Sequence, residues 1–86
     1  MKIIRITAIW CPSCLVMRKP WKKWEEEYPN LDIVDYDYDI NEDIVEKYNV
    51  GTILPVLIRE EDGREVSRLI GEKKHDQLVE FIMGGN

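Results

Sequence analysis

Ile3-Ile4-Arg5-Ile6-Thr7-Ala8-Ile9-Trp10-Cys11-Pro12-Ser13-Cys14 is the stretch on which the fold of this chain turns. A strand-like run, about Lys2 to Ile9, leads straight into a Cys-x-x-Cys pair. The residues from Pro12 to about Tyr28 read as a helix. A Cys-x-x-Cys that opens a helix after a strand is the setting of a redox-active dithiol. These are the only two cysteines in the chain, so they react with each other or with another molecule.

The first N–H groups of a helix lack backbone partners, and the macrodipole places partial positive charge there. A sulfur at that place is favoured as thiolate over thiol. Cys11 is therefore expected to be the reactive and more exposed sulfur. Cys14 lies within one turn, near enough to attack a mixed disulfide formed on Cys11. Pro12 suits the first helical turn, where a missing N–H costs little. Two other readings of the pair carry less weight. A structural zinc site needs four ligands, and His75 is the only histidine. A purely structural disulfide would close a very short loop, for which loop-closure stabilisation is small.

Working outward, apolar residues at Met17, Trp21, Trp24 and Tyr28 share one helical face and are expected in the core. Pro20 is expected to kink that helix. A second strand, about Leu31 to Tyr38, alternates Val34, Tyr36 and Tyr38 with Asp35, Asp37 and Asp39. Such alternation suits a sheet edge with one wet face, so the aspartates are expected to be solvated. Asn41 can cap a short helix running to about Tyr48. After the connector Val50-Gly51-Thr52-Ile53 come a strand from about Val56 to Arg59, a turn at Glu61-Asp62-Gly63, and a strand from about Arg64 to Ile70. Asp-Gly between two such runs marks an antiparallel hairpin. A last helix, about Lys74 to Met83, buries Leu78, Phe81 and Ile82, with His75 on its surface, and the Gly84-Gly85-Asn86 tail is expected to fray. The order is β-α-β-α-β-β-α: an α/β fold with a mixed four-stranded sheet and helices on both faces, forming one domain over residues 1–86.

The net charge of −5 leaves no basic excess for phosphates and speaks against nucleic-acid binding. No run approaches the roughly 18 apolar residues of a membrane span. No secretory signal is visible, so a cytoplasmic location is expected, where a close cysteine pair is more often catalytic than structural.

Over nearly its whole length the chain resembles the thioredoxin superfamily. The resemblance rests on Trp10-Cys11-Pro12-Ser13-Cys14, on Pro20, on Val50-Gly51-Thr52-Ile53-Leu54-Pro55, and on the segment from Ile70-Gly71 to Ile82. It implies a minimal thioredoxin-like fold with Cys11 as nucleophile and Cys14 as resolving thiol. It implies that Pro55 is a cis-proline beside the dithiol and that Leu54 offers its backbone to a substrate strand. Trp10, Pro12, Ser13, Ile53, Leu54, Pro55 and Gly71 would form the substrate surface. The implied activity is reduction of protein disulfides by a monomer without metal or organic cofactor, recharged by thioredoxin reductase or glutathione.

Three departures from the family pattern stand out. A single strand precedes Cys11. Cys-Pro-Ser-Cys begins like a glutaredoxin site, so a glutathione-dependent enzyme is the alternative. A redox-inactive binding module is a third possibility, against which two intact cysteines argue. Finally, thioredoxins commonly carry a buried aspartate on the strand before the first cysteine, and Arg5 occupies that place, leaving the proton acceptor for Cys14 unassigned.

Overall fold

The computed structural model describes residues 1–84; the outer part of the expected frayed tail, Gly85 and Asn86, lies outside the described residues. Strand β1 (Lys2–Thr7) is central because its isoleucines are apolar on both faces: Ile3, Ile4 and Ile6 are all buried. It pairs in parallel with β2 (Asp32–Asp37), Ile4 opposite Val34, and antiparallel with β3 (Val56–Glu61), Ile4 opposite Ile58. Strand β4 (Arg64–Ile70) pairs antiparallel with β3, giving the order β2-β1-β3-β4. The aspartate-rich β2 is thus an edge, as its alternation predicts.

The β3–β4 connection is a two-residue turn, with Glu61 opposite Arg64. Asp62 and Gly63 take φ of 53° and 77°. Positive φ at both central residues gives the twist that joins neighbouring antiparallel strands. Strand β3 runs two residues beyond its expected end at Arg59, past an irregularity between Arg59 and Glu60.

Four helices cover the sheet: α1 (Pro12–Val16), α2 (Arg18–Glu27), α3 (Glu42–Lys47) and α4 (His75–Ile82). On one face Trp21 and Trp24 of α2 and Leu78 and Phe81 of α4 pack on Ile3 and Leu57. On the other, Ile44, Val45 and Tyr48 at α3 meet Ile4, Ile6, Val56 and Ile58. Full burial of an aliphatic side chain of this size contributes about 1.5–3 kcal/mol. Among the described residues no helix is long and apolar enough to cross a membrane.

Three local expectations need correction. The first helix breaks at Met17 and not at Pro20. Proline acts one turn upstream, because it removes the bond to, and crowds, the carbonyl four residues back, here that of Val16. Strand β1 stops at Thr7, since Cys11 N–H turns back to the Ala8 carbonyl at 3.2 Å. Asn41 stands at the start of α3 but does not cap it with its side chain; its Oδ1 accepts instead from Asp37 N–H at 2.9 Å.

Candidate active site

The dithiol lies at the C-terminal end of β1, where the chain turns into α1. Cys11 is the N-cap, in extended backbone, and its Sγ accepts the Cys14 N–H at 3.2 Å. The sulfur therefore takes one of the orphan donors of the helix start. Pro12 follows as an exposed first helical residue. Both cysteines are free thiols. The expected difference in exposure is absent: Cys11 is 7% and Cys14 6% accessible. What separates them is electrostatics. Burial, then the hydrogen bond with Cys11, pushes the Cys14 thiol well above the ordinary thiol range.

The loop before β3 closes over this pair. Leu54 is buried in the same packed group as Cys11 and Cys14, and the Leu54–Pro55 peptide is cis. Gly71, at φ 87°, donates its N–H to the Pro55 carbonyl at 2.8 Å, bringing the end of β4 alongside. Ile53 and Trp10 remain exposed, 65% and 55%, and Ile9 projects almost wholly into solvent. Ser13 reaches across to the segment after β4, its hydroxyl donating to Glu72 Oε2 at 2.7 Å. All nine candidate residues thus sit on three chain segments at one end of the sheet.

Several site neighbours carried no recognisable sequence signal. Trp10 Nε1 donates to Asp39 Oδ2 at 2.6 Å, and its ring meets Tyr38 edge-on at 6.1 Å. The aspartate row is not simply solvated. Asp37 Oδ1 accepts from the N–H groups of Asp39 and Ile40, and Asp35 binds Arg5 through both carboxylate oxygens, at 2.6 and 3.0 Å. Arg5 also donates to Glu25 at 3.0 Å and lies 4.9 Å from the centre of the Trp21 ring. Burial works against its charge, but the two carboxylates outweigh burial and raise its pKa. Arg5, Asp35 and Trp21 line a cleft of about 670 Å³ that also touches Cys11, Cys14 and Trp10. His75, placed on the helix surface by its pattern, is half-buried, with Nε2 2.8 Å from Glu27 Oε1. Among the described residues no group of three or more His, Cys, Asp or Glu side chains gathers as a metal site.

The family model for thioredoxin matches residues 1–84. A thioredoxin of Chlamydia trachomatis is 34% identical over 80 residues, which cover 93% of this chain and 78% of the relative. A thioredoxin H-type of Fagopyrum esculentum is 30% identical, over 93% of this chain and 67% of the relative. Among solved structures, oxidised mitochondrial thioredoxin 3 of Saccharomyces cerevisiae superposes with a TM-score of 0.83 at 28% identity, over 94% of this chain and 74% of that one. Thioredoxin of Fasciola hepatica gives 0.82 at 29% identity, over 99% and 82%. None of these points to a glutaredoxin, the alternative raised by the Cys-Pro start. With its two thiols three residues apart at a helix start, the chain belongs to the thioredoxin family and is a thiol–disulfide oxidoreductase.

Proposed function

We propose that Cys11 is the attacking sulfur and Cys14 the resolving one in the reduction of protein disulfides. The observation that carries this is the asymmetry of the pair. Cys11 Sγ receives a helix-start N–H, whereas Cys14 is held back as a thiol by burial and by its neighbour. The Cys11 thiolate attacks one sulfur of the substrate disulfide, and the other substrate sulfur leaves as a thiolate and takes up a proton. Cys14 then loses its proton and attacks the Cys11 sulfur. The second substrate thiolate leaves, and the Cys11–Cys14 disulfide holds the oxidising equivalents. Two electrons pass from the protein to the substrate.

A substrate segment lies in extended form across Trp10, Pro12, Ser13 and Ile53, with Gly71 at its side. It pairs with the Leu54 backbone ahead of Pro55, as a strand adds to a sheet edge. The dithiol is recharged by a thioredoxin-reductase-type donor. The protein works as a monomer in the cytoplasm, where a reducing poise keeps such a pair available for turnover.

Variants at the two cysteines test the assignment. Cys14→Ser is expected to accumulate a mixed disulfide between Cys11 and a protein substrate. Cys11→Ser is expected to lose reduction of insulin disulfides. Substantial turnover by Cys11→Ser would reverse the roles.

A further inference from the structure

We propose that Glu72 is a specificity-determining residue that makes the enzyme favour disulfides flanked by basic residues; this rests on the oxidoreductase reading above. Glu72 follows Gly71 just past the end of edge strand β4, beside a residue of the proposed substrate surface. Its carboxylate is not a free surface group. The Ser13 hydroxyl, from within the Cys-Pro-Ser-Cys motif, holds Oε2 at 2.7 Å. Serine is neutral, so the hydrogen bond fixes the position of the charge without cancelling it. Among the described residues Glu72 forms no ion pair, although Lys73 and Lys74 follow it in the chain.

The same arrangement recurs across the dithiol. Asp39 is held at 2.6 Å by the indole N–H of Trp10 and likewise has no ion-pair partner among the described residues. Two motif residues, Trp10 and Ser13, therefore each pin one carboxylate without an ion pair among the described residues, one past the end of edge strand β2 and the other past the end of edge strand β4. Ile9, Trp10 and Ile53 are exposed near the dithiol, and the cleft beside it also carries Arg18. An extended peptide that seats its cysteine on Cys11 runs between the two charges. A lysine or arginine beside that cysteine meets a fixed negative charge at either flank, and an acidic residue is repelled. The net charge of −5 acts in the same direction at longer range.

The test uses pre-reduced protein and three disulfide peptides of one length, with Lys, Ala or Glu on both sides of the cysteine. Second-order rate constants are read by rapid acid quench and mass analysis. An exposed charge pair alters such a rate by roughly two- to fivefold. The Lys peptide is therefore expected to react faster than the Ala peptide by about that factor, and the Glu peptide slower. Glu72→Gln keeps an oxygen for Ser13 and removes only the charge, so the Lys-to-Glu ratio is expected to shrink by roughly twofold or more. Glu72→Lys is expected to shrink it further. At about 1 M salt, where the screening length is ~3 Å, the preference is expected to fade. Equal rates for the three peptides, or a ratio unchanged in Glu72→Gln, would overturn the proposal and leave the oxidoreductase reading intact. If the wild type also failed to reduce uncharged hydroxyethyl disulfide, the reading beneath it would fall as well.

Discussion

Cys14 is pushed upward first by burial, a cause separate from its contact with the Cys11 thiol. The resolving step therefore waits on removal of a proton. Arg5, on the strand before the dithiol, has no acceptor site and cannot take it; the carboxylates of Asp35 and Glu25 are already engaged by the guanidinium. Because the thiolate is the nucleophile, resolution is expected to quicken by up to about tenfold per pH unit between pH 6 and 9. Rapid-mixing kinetics of the step check this, and a flat profile would show a local base at work. Tyr48 gives a second pH signature. Burial, then its 2.7 Å hydrogen bond to buried Glu60, raises the phenol to about 12. A raised acid stabilises the folded state while it is protonated. That contribution is whole below the unfolded value near 10 and is lost as pH climbs through about 12. Tyr48→Phe is expected to cost about 1–3 kcal/mol at pH 7, because Glu60 loses its donor, and to flatten the alkaline fall. Urea titrations at neutral and alkaline pH measure both.

At the level of elements, what was legible followed the range of the cause. The strands, the hairpin and the helices came from periodicity and from Asp62-Gly63, all local signals. The Cys-x-x-Cys was legible locally because it follows a strand-like run and opens a helix, whereas the Leu54-Pro55 loop and Gly71 entered the site only through the family resemblance. The break at Met17 was misplaced because Pro20 acts on the carbonyl four residues before it. The partners Trp10–Asp39 and Ser13–Glu72 lie 29 and 59 residues apart, and no pattern in either stretch announces them. Asp35 read as solvated because the charge it meets is on another strand. The hairpin offers an element-scale check. Gly63 sits at φ 77°, where an L side chain costs roughly 1–2 kcal/mol. Lys2 pairs with Glu60 at this end of the sheet, whereas the dithiol follows Thr7 at the other. Gly63→Ala is thus expected to lower stability by about that amount. Thermal unfolding measures the loss.

The whole molecule has little stability to spare. A chain of 86 residues commands roughly 4–13 kcal/mol at ordinary values per residue. Trp24 is wholly inaccessible and its indole N–H has no partner among the described residues, so it serves as packing volume between α2, α4 and the sheet. Trp24→Ala is expected to cost about 3–5 kcal/mol and to leave a large unfolded fraction, which circular dichroism would register. The frame so held brings three loops together at one end of the sheet and leaves the dithiol between them, with the two sulfurs equally buried but only Cys11 Sγ accepting a helix-start N–H. Brief alkylation of the reduced wild-type protein at pH 7, followed by peptide mass mapping, tests that asymmetry most directly. The expected result is label on Cys11 well ahead of Cys14; label on Cys14 first, or on both at equal rates, would contradict the assignment of Cys11 as the attacking sulfur.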